Sequence, residues 1–214
     1  MSITPNIYII GSQCTGKTTL ASALCDGFDR NTGVDDEGKP ALITEVARSV
    51  LERHHFARHD IRNSAERALE LQRLILEAQH VSETAWLRER AWFVSDRSAV
   101  DPIIYARKYA SREAADALCD SDKWRGMSGR MAKSAVILCE APVHWLVDDG
   151  VRLMPLDEDE WLQIHNEFCH VLEQYGIEYY VLPGSMADMG ERIRFVLTKW
   201  EDKRNQLNSG GHGP

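Results

Sequence analysis

Ile7-Tyr8-Ile9-Ile10-Gly11-Ser12-Gln13-Cys14-Thr15-Gly16-Lys17-Thr18-Thr19-Leu20 decides how the rest of the chain is read. A β-branched and aromatic run stops at Gly11, and after a short loop Gly16-Lys17-Thr18 opens a helical apolar pattern of Leu20, Ala21 and Leu24. Strand, glycine-bounded loop and helix in that order give the pattern GxxxxGK[ST] in the setting its chemistry requires. Glycines at both ends permit backbone angles and a close approach that a Cβ would obstruct, so the N–H groups between them can converge on phosphate oxygens. The loop also delivers those oxygens to a helix N-terminus, where unpaired N–H groups and the helix dipole favour anions. On this reading Gly11, Ser12, Gln13, Cys14, Thr15, Gly16, Lys17, Thr18 and Thr19 contact a nucleotide. Lys17 reaches the terminal phosphates, and the Thr18 hydroxyl ligates Mg²⁺.

The remainder of the chain bounds this reading. Its 214 residues, 43% apolar, suit one compact domain with a substantial core. That domain is expected to span residues 1–207, with the glycine-rich 208–214 as a disordered tail. A net charge of −8 argues against a nucleic-acid partner, which would need a basic face. Five cysteines with no CxxC pair and no preceding leader read as reduced thiols, which predicts a cytoplasmic protein. No apolar run approaches membrane-spanning length, so no membrane is expected.

Further strands are expected at 41–44, 91–96, 135–139 and 177–182. Helices are expected at 18–28, from 46 to 55, and at 64–90, 101–118, 157–175 and 187–207, with His59 and Asp60 in a turn. Residues 29–40 read as an acidic surface loop, 120–133 as a loop with irregular helix, and 142–155 as a loop carrying Arg152. Strands alternating with helices imply an α/β fold with a five-stranded parallel sheet covered on both faces by right-handed crossovers. Ligands of such sheets sit outside the carboxyl ends of the strands. That rule gathers the loop after Ile10, Glu45, Asp96 and the loop after Cys139 at one edge.

Phosphoryl transfer asks a protein for positioning, metal and positive charge rather than covalent chemistry. Asp96, ending an apolar strand, is placed to hold Mg²⁺ together with Thr18, and a carboxylate after so apolar a strand needs such a reason. Glu45 is placed to orient or deprotonate an acceptor hydroxyl. Arg48 and Arg97 could bind a phosphate or carboxylate on the acceptor, since the guanidinium fork suits both. Arg152 sits in a loop of the right length to close over the nucleotide as a lid. Asp101 is a substrate contact or simply a helix N-terminal carboxylate. Lys17, Glu45, Asp96 and Arg152 therefore stand as the catalytic set, with Glu45, Arg48, Arg97 and Asp101 facing the acceptor.

At these residues a family resemblance becomes specific. Gly11 to Thr19, Thr44-Glu45-Val46-Ala47-Arg48, Asp96-Arg97-Ser98 with Asp101 and Tyr105-Ala106, and Asp149-Gly150-Val151-Arg152 resemble the NadR-like P-loop ATPase/kinase family. That family includes the ribosylnicotinamide kinase domain of bacterial NAD regulators. The Asp-Arg-Ser run is also similar to the Asp-Arg motif of thymidylate and deoxynucleoside kinases. The resemblance implies a three-layer α/β/α P-loop NTPase fold of the nucleoside-kinase type with a lid loop. It also implies a phosphotransferase using ATP, or GTP, with Mg²⁺ on a nucleoside-like acceptor such as nicotinamide riboside. Its partners would be a nucleotide and a small molecule, and a homodimer is compatible with this reading.

A second class stays open: a nucleotide-dependent switch, or a hydrolase acting on water. Asp35-Asp36-Glu37-Gly38 fits a GTPase-like DxxG, but no NKxD guanine signature follows, so the match is treated as accidental. His55 and His59, and His165 and Cys169, have the spacing of two ligands on one helical face, yet neither pair has a third ligand near it in sequence. Gln72 and Gln79 on the long helix are left unassigned, and Trp124 and Trp145 are candidates to stack on a base.

Overall fold

The computed structural model describes residues 3–28, 38–89, 92–141 and 157–209. Its strands are β1 (Ile7–Ile10), β2 (Ala41–Ile43), β3 (Phe93–Asp96), β4 (Ala135–Cys139) and β5 (Tyr180–Leu182). They form one five-stranded sheet in the order β2-β3-β1-β4-β5, and every pairing is parallel. Ile9 in the central strand is in register with Asp96 on one side and Ile137 on the other.

The three inner strands are apolar at nearly every position because both faces of the sheet are covered. Tyr8, Ile10, Phe93, Val136 and Leu138 face one core, and Ile7, Ile9, Val94, Ile137 and Cys139 face the other. The second core is closed by α1 (Lys17–Phe28) and α9 (Met189–Ser209) through Leu20, Leu24, Val196 and Trp200. The first is closed by α4 (Ala65–Arg88), α5 (Val100–Tyr109), α6 (Arg112–Cys119), α7 (Asp122–Met131) and α8 (Glu158–Gln174). The result is the expected three-layer α/β/α fold. A smaller cluster of Val50, Phe56, Ile61, Ala68, Leu71 and Ile75 binds α2 (Val46–Arg53) and α3 (Arg58–Asn63) onto α4. Because β3 and β4 flank β1 on opposite sides, the chain reverses direction across the sheet at β1, and a crevice opens above its carboxyl end.

Several boundaries differ from the sequence reading. The single helix expected at 101–118 is two, because Ser111 caps α6 by accepting a hydrogen bond from Ala114 N at 3.1 Å and Ala110 leaves helical geometry. The loop expected at 120–133 is α7. Ser121 caps it, and Trp124, Met127 and Met131 bury one face despite the glycines at 126 and 129. His59 and Asp60 lie in α3 rather than a turn. Strand β5 starts only at Tyr180, and Asn208 continues α9 instead of beginning a tail, its amide bonding the backbone of Ile3. Residues 210–214, and most of the acidic loop at 29–40, lie outside the described residues.

Candidate active site

The phosphate loop is built by what a Cβ would hit. Gly11 has φ +130°, and a side chain there would meet the Cys139 carbonyl oxygen of β4 at 2.7 Å. Gly16 is also left-handed at φ +76°, and Cys14 adopts φ +55°, a conformation uncommon outside glycine. Lys17 is buried, and its Nζ donates to Ser12 O at 2.5 Å and to Thr15 Oγ1 at 3.3 Å, so the ammonium lies over the loop. Burial, reinforced by the nearby Arg97 guanidinium, lowers its pKa to about 8.

Thr18 Oγ1 donates to Asp96 Oδ2 at 2.6 Å, while Asp96 Oδ1 is buried with no hydrogen-bond partner. An orphaned buried carboxylate oxygen beside a hydroxyl oxygen is the donor set a hard divalent cation takes up. The two residues therefore fit Mg²⁺.

One residue later the backbone turns. Arg97 N still donates to Ile9 O at 2.9 Å, continuing the ladder, but its φ is +86°. The buried side chain reaches Glu45 Oε1 through Nε at 2.7 Å and Asp101 Oδ1 through Nη1 at 3.1 Å. Glu45 Oε2 in turn accepts from Arg48 Nε at 3.0 Å. Glu45, Arg48, Arg97 and Asp101, chosen from two separate stretches of sequence, thus form one chain of ion pairs. Burial disfavours the Glu45 carboxylate, but Arg97, Arg48 and Lys17 outweigh it and hold its pKa down at about 2. Asp101 is fully committed: its other oxygen accepts from Ser98 N at 2.8 Å and Ser98 Oγ at 3.1 Å. Its side chain fixes the turn and the Arg97 fork, and burial pushes its carboxyl up from the ordinary value.

This chain of charges borders a cavity of about 290 Å³. Leu51 and Phe56, Leu71 and Ile75 give it apolar walls, and Gln72 sets one amide among them. Tyr105 closes the side nearest the loop, stacked on Tyr109 with ring centroids 6.3 Å apart, and its hydroxyl donates to Gln13 Oε1 at 2.5 Å. Sequence reasoning passed over most of these walls. Their periodicity is that of ordinary core, and α3, which contributes Ile61, was not recognised. Gln79 is the opposite case: it bonds Glu83 and Ser95, both at 3.0 Å, inside the core and away from any ligand. Trp124 is buried against Tyr175 and cannot stack on a base. Two donors to the loop backbone were also missed, Trp161 to Gln13 O and Arg192 to Thr15 O, each at 2.9 Å. Arg152 and Trp145 lie outside the described residues. Among the described residues no three His, Cys, Asp or Glu side chains cluster as a metal cage, and no helix is long and apolar enough to cross a membrane.

A sequence family described as an AAA domain matches residues 6–192. The chain belongs to this AAA-domain family. Among solved structures it resembles a NadR protein in complex with NR, at 19% identity and a TM-score of 0.67 over 94% of this chain. The match covers 52% of the NadR chain, so this protein spans about half of that length. Deoxyadenosine kinase from M. mycoides with bound dATP superposes with a TM-score of 0.57 at 12% identity, covering 92% of this chain and 99% of that one. At such identities these likenesses show the fold, and with the family match they bear out the NadR-like P-loop kinase resemblance drawn from the motifs. No curated protein sequence gives a significant match.

Proposed function

We propose that this AAA-domain protein is a small-molecule kinase that moves the γ-phosphoryl group of ATP to a hydroxyl of a nucleoside-like acceptor such as nicotinamide riboside. The observation that carries the reading is the second compartment. A cavity with apolar walls opens beside the phosphate loop, and the Glu45–Arg97 pair lies on the border between the two. A switch or a water-using hydrolase needs no such cavity. The fold likeness to a NadR protein in complex with NR and to a deoxyadenosine kinase is consistent with it.

In this mechanism the loop N–H groups and Lys17 bind the phosphates, and Lys17 carries charge to the transferring group. Mg²⁺ held by Thr18 and Asp96 would neutralise phosphate charge when bound. Glu45 accepts a hydrogen bond from the acceptor hydroxyl. A carboxylate whose pKa is about 2 is a weak base, which favours orientation of the hydroxyl over early removal of its proton. Arg97 holds that carboxylate in place and offsets charge developing between the two sites. Arg48, paired with Glu45, sits at the cavity rim with its side chain 43% exposed, and would meet a polar group of the acceptor as it enters. Arg152 keeps its role as a lid arginine within this proposal.

The test is ADP release with Mg-ATP against a panel of nucleosides, nicotinamide riboside and related alcohols, with Lys17→Ala as the blank. One acceptor should raise turnover far above the blank and itself become phosphorylated. Tight nucleotide binding with no stimulation by any acceptor would transfer the case to the regulatory switch.

A further inference from the structure

The carbonyl oxygens of the phosphate loop, on the reverse side of its N–H groups, are held one after another by donors. Ser12 O accepts from Thr15 Oγ1 at 3.0 Å, inside the loop itself. Gln13 O accepts from the indole Nε1 of Trp161 at 2.9 Å, in the first turn of α8. Thr15 O accepts from Arg192 Nη2 at 2.9 Å, in the first turn of α9, and this arginine is 1% exposed. The two helices lie on opposite faces of the sheet, α8 packing into one core and α9 into the other.

A trans peptide is planar, so its C=O and the N–H of the following residue point in opposite directions. Fixing the carbonyls of Gln13 and Thr15 from outside therefore fixes the direction of the N–H groups of Cys14 and Gly16. Those are also the two residues of the loop interior with left-handed backbones, at φ +55° and +76°. Alternation of right- and left-handed residues is what turns successive N–H groups to the same side and makes an anion-binding concavity. Holding Cys14 in that conformation costs about 1 kcal/mol or more, so something outside the residue must enforce it. The two pins supply that enforcement.

We infer that Trp161 and Arg192 are positioning residues for the phosphate cradle, gripping the loop from behind through the carbonyls of Gln13 and Thr15. Neither would touch the phosphates; each sets the aim of an N–H that would. Arg192 also sets a positive charge beneath the loop, with its guanidinium 3.5 Å from Cys139 Sγ on the strand against which Gly11 packs. The inference rests on the reading that the loop binds a nucleoside triphosphate.

The experiment is calorimetric titration of the full chain with Mg-ATP and, separately, with tripolyphosphate, alongside a thermal melt of every variant. Wild type against Lys17→Ala tests nucleotide binding by itself. If wild type binds no better than Lys17→Ala, that reading fails and the positioning role falls with it, a result recognisable because all variants then look alike. If wild type binds, Trp161→Phe should weaken both ligands by up to about tenfold, the range of one neutral hydrogen bond. Arg192→Met should weaken both by about ten- to a hundredfold, as for a charged donor, with Arg192→Lys recovering part of the loss. Equal losses on ATP and tripolyphosphate place the effect at the phosphates. Should Arg192→Met fail to fold, Trp161→Phe and Arg192→Lys decide the matter. Folded variants that melt lower yet bind both ligands within twofold of wild type would overturn the proposal, since that is the outcome of packing alone.

Discussion

Two glutamates withdrawn from water make an instructive pair. Glu45 sits at the carboxyl end of β2 between Arg48 and Arg97, and its pKa is held at about 2. Glu83, in α4, is fully buried beneath the sheet and accepts from the Tyr8 hydroxyl at 2.9 Å and the Gln79 amide at 3.0 Å, with Arg130 at 3.5 Å. There burial dominates and pushes the carboxyl up from its ordinary value. Both are largely withdrawn from water and both are hydrogen-bonded, yet only the first borders a cavity and a phosphate loop. Burial of an ionisable group marks cost; fixed opposite charge beside an open volume marks a site.

The sharpest way to break the comparison is to neutralise each residue in turn. Glu45→Gln is expected to lower turnover about 10²- to 10⁴-fold while leaving the Kd for Mg-ATP within about threefold. Glu83→Gln should leave both nearly unchanged. Steady-state kinetics with parallel ATP titration checks this, and loss of ATP binding in Glu45→Gln would remove its acceptor-side role. Lys17 gives the next largest effect. Its pKa of about 8 in the free protein means that it loses its charge as pH rises through that value, whereas bound phosphate favours the charged form. Nucleotide affinity should therefore fall above about pH 8, approaching tenfold per pH unit, and Lys17→Arg should flatten that limb.

The cavity itself was hidden from the sequence for a physical reason. The phosphate loop was legible because its residues are contiguous and its flanking strand and helix carry opposite periodicities. Inner strands β1, β3 and β4 were legible because sheets covered on both faces need unbroken apolar runs. The acceptor side has no such signature. Phe56, Ile61, Leu71 and Ile75 come from three regions and read as ordinary core, and only the fold turns their faces toward a common space. Helix α7 is a different failure: Gly126 and Gly129 argued for a loop, although Ser121 and the spacing of Trp124, Met127 and Met131 carried a helix signal. Glu45, Arg97 and Asp101 were grouped on the acceptor side from sequence and the fold brings them together, but Asp101's commitment to Ser98 is something no spacing reveals.

Gln72 sharpens the acceptor side further. Replacing it with Leu keeps the volume and removes an amide from among the apolar walls, which should raise the acceptor KM by about three- to tenfold with kcat less affected, measured once an acceptor is in hand. The smallest expected effect concerns stability. Glu45, with a depressed pKa, stabilises the fold above the ordinary carboxylate range and loses that contribution as pH falls toward about 2. Glu83, with a raised pKa, has the opposite sign: stability declines as pH climbs from the ordinary glutamate value through the raised one. Urea unfolding across pH 3 to 8 should show Glu45→Gln flattening the acid side and Glu83→Gln flattening the decline on the other.

The left-handed turn at Arg97 carries a last consequence. In an extended strand Asp96 and Arg97 would project to opposite faces of the sheet. At φ +86° the chain instead sends Asp96 to Thr18 and Arg97 to Glu45, both above the same strand end. On the proposed reading, the metal side of the site at Asp96 and the acceptor side at Arg97 would thus be joined by a single peptide bond, a ruler of fixed length that no motion of helices can stretch. Acceptors would then be selected by whether their hydroxyl meets that mark, and a glycine at this position, though it would relax the backbone, would leave the ruler without its reading edge.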